Sequence, residues 1–417
     1  MIIWIFQSGE PLHSDDNSPR PMRAMNLANK LIDRGHKVVL WSSAFSHQSK
    51  MHRSTKYEDI LISENLRIKL IPSSGYKKNI SISRFYDHCI LAWNLHKKLK
   101  LEKIPPDVAF IGYPPIEAAY VMSNWLKNNN VPFLLDVKDQ WPNILVKSFP
   151  RPLRFFARCL LSPYYFLAKK SMKNATGISA HVPGYVKWAL KFSNKIESKN
   201  DAAFPLTTPQ YEIRIDDLSR ATDWWSNQGI IKNNSFRVIF IGSFARTFNF
   251  DDIFLAAHEL SSQKIDCEFV LCGDGDKNNE LRAKAKLHDN VKIISWIDGP
   301  KIKALSNMSD AAIAPYKNKS DFTISIPNKV IDSLMLGLPL LSSLEGEVEA
   351  LIKKYNIGYF YNESMPLSDC IKKMKSMNIS ENHLSKNAKD LYCSKFEFNK
   401  VYDSLALHIE RLKIYDR

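Results

Sequence analysis

Short apolar runs alternate with amphipathic stretches in two successive series along these 417 residues, and that rhythm leaves few folds open. Residues 2–6 (IIWIF) read as a strand and 7–18 as a polar loop containing Gly9. Residues 21–34 read as a helix with Met22, Met25, Leu27, Ala28 and Leu31 at helical spacing; Gly35 ends it and 37–41 form the next strand. The series continues through strands at 66–71, 108–111, 133–137 and 176–180, with helices at 84–100 and 115–127. A second series holds strands at 238–242, 267–272, 291–295, 311–314 and 339–342 and helices at 251–261, 280–287, 302–308 and 348–355. Strands joined through helices lie parallel. The expected fold class is therefore α/β: two doubly wound parallel-sheet domains facing across a cleft, where a ligand belongs. The expected boundaries are 1–200 for the first domain, 201–235 for a polar linker, 236–396 for the second domain and 397–417 for an amphipathic C-terminal helix free to pack back on the first.

The length is too great for one ordinary core. Hydrophobic residues at 45% and charged residues at 24% are ordinary globular values, so a disordered or fibrous chain is excluded. The six cysteines are scattered, and none forms a C-x-x-C pair; buried thiols in a reducing compartment are expected rather than a disulfide framework. The apolar start stops at Gln7 without a basic leader, so no signal peptide is expected. No run of eighteen apolar residues offers a membrane-spanning helix.

Charge is unevenly placed. The net charge is +15, but residues 1–200 hold 30 Lys and Arg against 14 Asp and Glu, so the excess lies in the first half. That half calls for an acidic partner. Its densest run, 147–173, carries Lys147, Arg151, Arg154, Arg158, Lys169, Lys170 and Lys173 with no acid, interleaved with Phe155, Phe156, Leu160, Tyr164, Tyr165 and Phe166. Such a segment suits an anionic membrane surface; the alternative is a buried helix with basic edges. Nucleic acid is not expected, because no recognition module accompanies the charge.

The segment SIPNKVIDSLMLGLP, from Ser325 to Pro339, holds the sharpest chemical signal. Pro327 suits the first helical position and Gly337 a left-handed stop. The free N–H groups around Ser325, Ile326 and Asn328, the positive end of the helix dipole and Lys329 make an anion cradle. Asp332, four residues from Asn328, shares its face and can accept hydrogen bonds from a diol. A diphosphate cradle beside a ribose acceptor describes a nucleotide-sugar site. The alternative is an ordinary helix with a solvated polar face.

With these segments in order, the chain resembles the GT-B retaining glycosyltransferases of family 4, most strongly from Phe236 to Tyr361. Four features carry the resemblance: Arg23…Leu31…Arg34-Gly35-His36-Lys37-Val38 after the Gly9 loop; Leu271-Cys272-Gly273-Asp274-Gly275; Asp310-Ala311-Ala312-Ile313-Ala314-Pro315-Tyr316; and the cradle helix. The resemblance implies two Rossmann-like domains, the first for acceptor and the second for a nucleotide-sugar donor. Two departures stand out. The family's acid pair keeps its second member at Asp332, but the first position holds Ile324, with Asp321 the nearest acid. Ser243 and Asn249 replace the family's Arg and Lys, so Arg246 is expected to share the diphosphate with Lys329. Asp274-Gly275-Asp276 matches a metal motif of another transferase fold, yet it sits in a Gly turn where Asp is favoured for backbone reasons; no metal and no cofactor are expected.

The resemblance implies further roles. Gly9 lets backbone approach the phosphates, or simply makes a turn. Trp296 and Ile297 line the base pocket, or Trp296 is core. Asp139, in an Asp-x-Trp-Pro-like segment past a strand end, acts as base, orients substrate or holds a turn; His181 is the second candidate, or packing. The expected protein is a cytoplasmic enzyme at the inner face of the membrane. It moves a sugar from a nucleotide diphosphate, a UDP-sugar, to a polyprenyl-diphosphate-linked saccharide of the O-antigen or capsule kind. Rival readings are a GT-B sugar-nucleotide epimerase and a non-catalytic carbohydrate- or membrane-binding relative.

Overall fold

The computed structural model describes residues 1–15, 21–79, 81–207, 209, 212–319, 322–377 and 383–414. Asp321 lies outside them. The chain divides into two compact units: Met1–Pro205 with Val401–Arg417, and Leu206–Lys400.

The first unit is built on eight strands: β1 (Ile2–Phe6), β2 (Lys37–Ser43), β3 (Glu58–Ser63), β4 (Leu66–Ile71), β5 (Val108–Tyr113), β6 (Phe133–Val137), β7 (Gly177–Ala180) and β8 (Ala202–Ala203). Their order across the sheet is β3-β4-β2-β1-β5-β6-β7-β8. All neighbours are parallel except β3, which pairs antiparallel with β4. Central strands such as β5 (VAFIGY) and β6 (FLLDV) are buried at every residue, so β5 reads as an unbroken apolar run and β6 as one broken only by Asp136. The first helix, Arg23–Asp33, is held to β6 by a buried pair: Arg23 Nη2 donates to Asp136 Oδ1 at 2.9 Å, and Nη1 donates to Phe204 O at 2.9 Å. In the C-terminal helix, Glu410 accepts from Arg34 Nε and from His36 Nε2, each at 2.7 Å.

The second unit carries β9 (Phe236–Ile241), β10 (Cys267–Cys272), β11 (Val291–Ile294), β12 (Ala311–Ala314), β13 (Leu340–Ser342) and β14 (Gly358–Phe360), all parallel, in the order β11-β10-β9-β12-β13-β14. Phe240, Phe244, Phe248 and Phe250 pack ring to ring at its centre, with Phe240 and Phe250 centroids 5.0 Å apart. Arg237 is buried, yet every branch is used: Nε meets Glu268 Oε2 at 2.7 Å, and Nη1 and Nη2 donate to the carbonyls of Met308 and Ile231.

The polar stretch 201–235 is more than a connection. It contains the helix Ile215–Asn227, whose Trp225 is fully buried and donates from Nε1 to Lys301 O at 2.9 Å. Only Ala221 and Trp225 of that helix are buried, so its apolar signal is thin. All six cysteines are free; Cys267, Cys272 and Cys370 are buried, whereas Cys89, Cys159 and Cys393 are exposed, contrary to the expectation of buried thiols.

Candidate functional site

In an open parallel sheet, ligands bind beyond the carboxyl ends of the strands where the strand order reverses. In the second unit that point lies at β9, flanked by β10 on one side and β12 on the other. The loop leaving β9 begins with Gly242 at φ +141, and a Cβ there would sit 1.6 Å from Lys329 Nζ. Gly242 thus gives the lysine its place. Lys329 Nζ donates to Ile241 O at 2.5 Å and lies 4.5 Å from the Phe240 ring centroid. Burial lowers its pKa to about 8, against the opposing pull of Asp332.

Lys329 belongs to the helix Asn328–Met335. Pro327 is its N-cap rather than its first helical residue, because its own backbone, with φ −67 and ψ 154, is still extended. Gly337 follows the helix at φ +72. The Ser325 N–H already donates to Phe322 O at 3.0 Å, so that amide leaves the expected cradle. The amides of Ile326, Asn328 and Lys329 make no hydrogen bond with a described residue. Asn328 is exposed and Asp332 half-buried, one turn apart. Arg246 is exposed in the loop after β9 and forms no ion pair among the described residues. Trp296 is 61% exposed just past β11, so it is not core; Ile297 is half-buried against the apolar cluster of Trp225. In the Asp274-Gly275-Asp276 turn, Gly275 N donates to Asp274 Oδ1 at 2.7 Å and Phe244 N to Asp274 O at 2.8 Å, backbone work of the kind expected. Among the described residues no cluster of His, Cys, Asp and Glu is placed to hold a metal.

The first unit has its reversal between β1 and β5, and a pocket of about 150 Å³ opens there. Its walls include Gly9 after β1, His47 after β2, Tyr76 after β4, Pro114 after β5, and Lys138 and Asp139 after β6. Arg84, Asp87 and His88 complete it from the helix Ile82–Leu99. A Cβ on Gly9 would meet only Gln7 Nε2, at 3.8 Å, so the protein's own packing does not demand glycine there. Lys138 is paired with Glu10. His181 is not in the pocket lining; its ring packs edge-on against Tyr185, 4.7 Å between centroids, and burial holds its pKa down to about 4.

Beneath the pocket lies Glu117, 6% exposed, with His88 Nδ1 3.7 Å from its Oε2. Burial pushes Glu117 up to about 7 and His88 down to about 3. Neither residue was expected from the sequence. Nor were Arg84, His47 and Tyr76; the usable signal was that His47 and Tyr76 follow strand ends.

The basic run forms the helices Arg154–Leu160 and Ser162–Asn174. Phe155, Phe156, Leu160 and Phe166 are 62–76% exposed beside exposed Arg151, Arg158, Lys169 and Lys170, while Arg154 is half-buried. Arg154 Nε donates to Phe149 O at 3.1 Å. A buried helix with basic edges does not describe this face.

Residues 222–391 match the family model described as glycosyl transferases group 1. The second unit is a glycosyltransferase domain. No curated protein matches the sequence. Solved structures match almost end to end. WaaG, a glycosyltransferase involved in lipopolysaccharide biosynthesis, is 15% identical over 98% of this chain and 99% of its own, with a TM-score of 0.60. Anabaena HepE in complex with UDP and glucose is 13% identical over 99% and 100%, at 0.62. The Escherichia coli trehalose-6-phosphate protein bound with UDP-2-fluoro glucose is 9% identical over 99% of each chain, at 0.66. At these identities the likeness establishes the fold, two-domain GT-B. Within the glycosyltransferase domain, Lys329 reaches the end of β9 at the strand-order reversal, the loop bearing Arg246 leaves that strand, and Trp296 follows the edge strand β11.

Proposed function

We propose that this glycosyltransferase moves a sugar, with retention, from a UDP-sugar to a polyprenyl-diphosphate-linked saccharide at the cytoplasmic face of a membrane, in surface-polysaccharide assembly. The observation that carries the donor reading is Lys329 lodged at Gly242, at the head of a helix with unused amides. On binding, its ammonium exchanges the Ile241 carbonyl for a phosphate oxygen, and the Ile326 and Asn328 amides and Arg246 take the remaining charge. Stabilising the departing diphosphate is then the work of fixed positive groups, without a metal. Asp332 holds the ribose hydroxyls, while Trp296 and Ile297 face the base. UDP is favoured because the Anabaena HepE relative is known in complex with it.

In the first unit, Asp139 orients or deprotonates the acceptor hydroxyl, with Gly9 admitting the substrate close to the backbone. His181, neutral and packed on Tyr185, serves structure in this reading. Arg151, Arg154, Arg158, Lys169 and Lys170, with the exposed aromatics between them, rest on an anionic bilayer and deliver the lipid-linked acceptor. The donor reading is tested by thermal shift across UDP-, GDP-, ADP- and CMP-sugars with EDTA present. A UDP-sugar should stabilise the protein; stabilisation by none, or only after magnesium or manganese is restored, overturns it.

A further inference from the structure

Arg84, His47 and Tyr76 line one corner of the pocket of the first unit, and Lys50 adjoins them over the Tyr76 ring. Lys50 Nζ lies 4.6 Å and the Arg84 guanidinium carbon 5.5 Å from the Tyr76 ring centroid. Among the described residues no carboxylate comes within ion-pair distance of either: Lys50 donates to Asn79 Oδ1 at 2.6 Å and Arg84 Nη1 to Asn79 O at 2.7 Å. Asp87, the acid nearest in sequence, is occupied by the Gly75 N–H at 2.6 Å, and Lys138 is neutralised by Glu10. Arg84 Nε is buried with no hydrogen-bond partner. A buried unpaired donor on a charged group is costly unless a ligand fills it. His47 completes the corner. Its Nδ1 faces the Tyr76 hydroxyl and the Lys50 ammonium, which can only donate, so the ring proton belongs on Nε2. Burial first, and then the charges of Lys50 and Arg84, depress His47 to about 4.

We propose that Lys50, Arg84 and His47 form a phosphate-binding site that takes a phosphate-ester group of the acceptor. The site deepens the acceptor reading above and rests on it for the word acceptor, not for the anion. Phe85, beside Arg84 in the helix, packs against Tyr164 of the basic, aromatic face. An apolar tail attached to the phosphate has that surface to follow, which favours a lipid-linked ester over a free sugar phosphate.

The test is calorimetric titration of the full chain saturated with UDP, so that the donor site is filled, using a short prenyl diphosphate, the matching prenyl alcohol and a hexose 6-phosphate. The prenyl diphosphate should bind more tightly than the alcohol, and Lys50→Gln and Arg84→Gln should each weaken it about ten- to a hundredfold with UDP affinity unchanged. Tighter binding of the hexose phosphate, lost in the same variants, supports the site with a free ester as its occupant. Phosphate esters that bind both variants as well as wild type, or no better than the alcohol, overturn it. Lys50→Gln removes a half-buried ammonium held by the Asn79 side chain and keeps the test valid where Arg84→Gln unfolds. Phosphate binding that depends on both residues, without sugar transfer to either ester, leaves this site standing and removes the acceptor role. Transfer undiminished in both variants does the reverse.

Discussion

Replacing Lys329 by methionine isolates the charge that the donor reading depends on. The side chain lies over Phe240 and Phe248, with Nζ 4.5 and 5.3 Å from their centroids, so an apolar residue of similar length keeps that packing. What disappears is one charge-assisted hydrogen bond to a phosphate oxygen, worth about 1.5–3 kcal/mol, or roughly ten- to a hundredfold in dissociation constant. Uridine, which lacks the phosphates, should bind wild type and Lys329→Met alike. The pH dependence sharpens the test. Burial holds the free lysine at about 8, and a bound diphosphate favours its charged form. Wild-type UDP affinity should therefore be flat below pH 8 and fall above it, by up to about tenfold per pH unit. The UDP phosphates are already ionised there, since a second phosphate ionisation lies near about 6. Lys329→Met should show no such fall. Calorimetry from pH 7 to 10 reads both effects. Equal losses for UDP and uridine, or a wild-type affinity flat to pH 10, would refute the phosphate assignment.

Glu117 should make the first unit less stable as pH rises. Its folded pKa of about 7 lies above the ordinary 4.5, so between those values only the unfolded chain loses the proton. Arg84, Asp87, His88 and Tyr164 face it, and His88, held near 3, stays neutral throughout. The loss is nil below pH 4.5, accumulates up to pH 7, does not grow above it, and amounts to about 3 kcal/mol; the unfolding free energy of Glu117→Gln should gain on wild type by that margin from pH 4.5 to 8, and parallel curves would contradict the shift. Vesicle co-sedimentation should capture wild type on anionic bilayers, with each engaged Lys or Arg adding about 1 kcal/mol. Arg151→Glu/Arg154→Glu/Arg158→Glu should release it, and indifference of wild type to anionic lipid would remove the membrane role. Turnover should survive EDTA; loss on chelation with recovery on adding magnesium or manganese would require a metal.

How much could be read in advance depended on whether the signal was local. β5, β6, β10 and β12 are buried, mainly apolar strands, and their spacing by helices announced two parallel sheets. β3 was missed because its burial alternates poorly at an exposed antiparallel edge. The cradle was visible because its proline, lysine, aspartate and glycine are contiguous, although Pro327 proves to be the cap and the Ser325 amide is already spent. The phosphate corner was invisible. Lys50, Tyr76 and Arg84 come from separate loops and a helix end, and only the sheet order β4-β2-β1-β5 brings their neighbourhoods together. Glu117 reads as an ordinary helix acid until burial is known.

The central claim is sugar transfer to a membrane lipid, and one experiment addresses it directly. Purified full-length protein is incubated with membranes and a UDP-sugar carrying a labelled sugar, and the lipid fraction is extracted. The account predicts label in acid-labile, diphosphate-linked lipid, with Lys329→Met strongly reduced. Label confined to a rearranged UDP-sugar would instead identify an epimerase. Label left wholly in the unchanged donor, across the UDP-sugars that bind, would identify a non-catalytic relative and contradict the account.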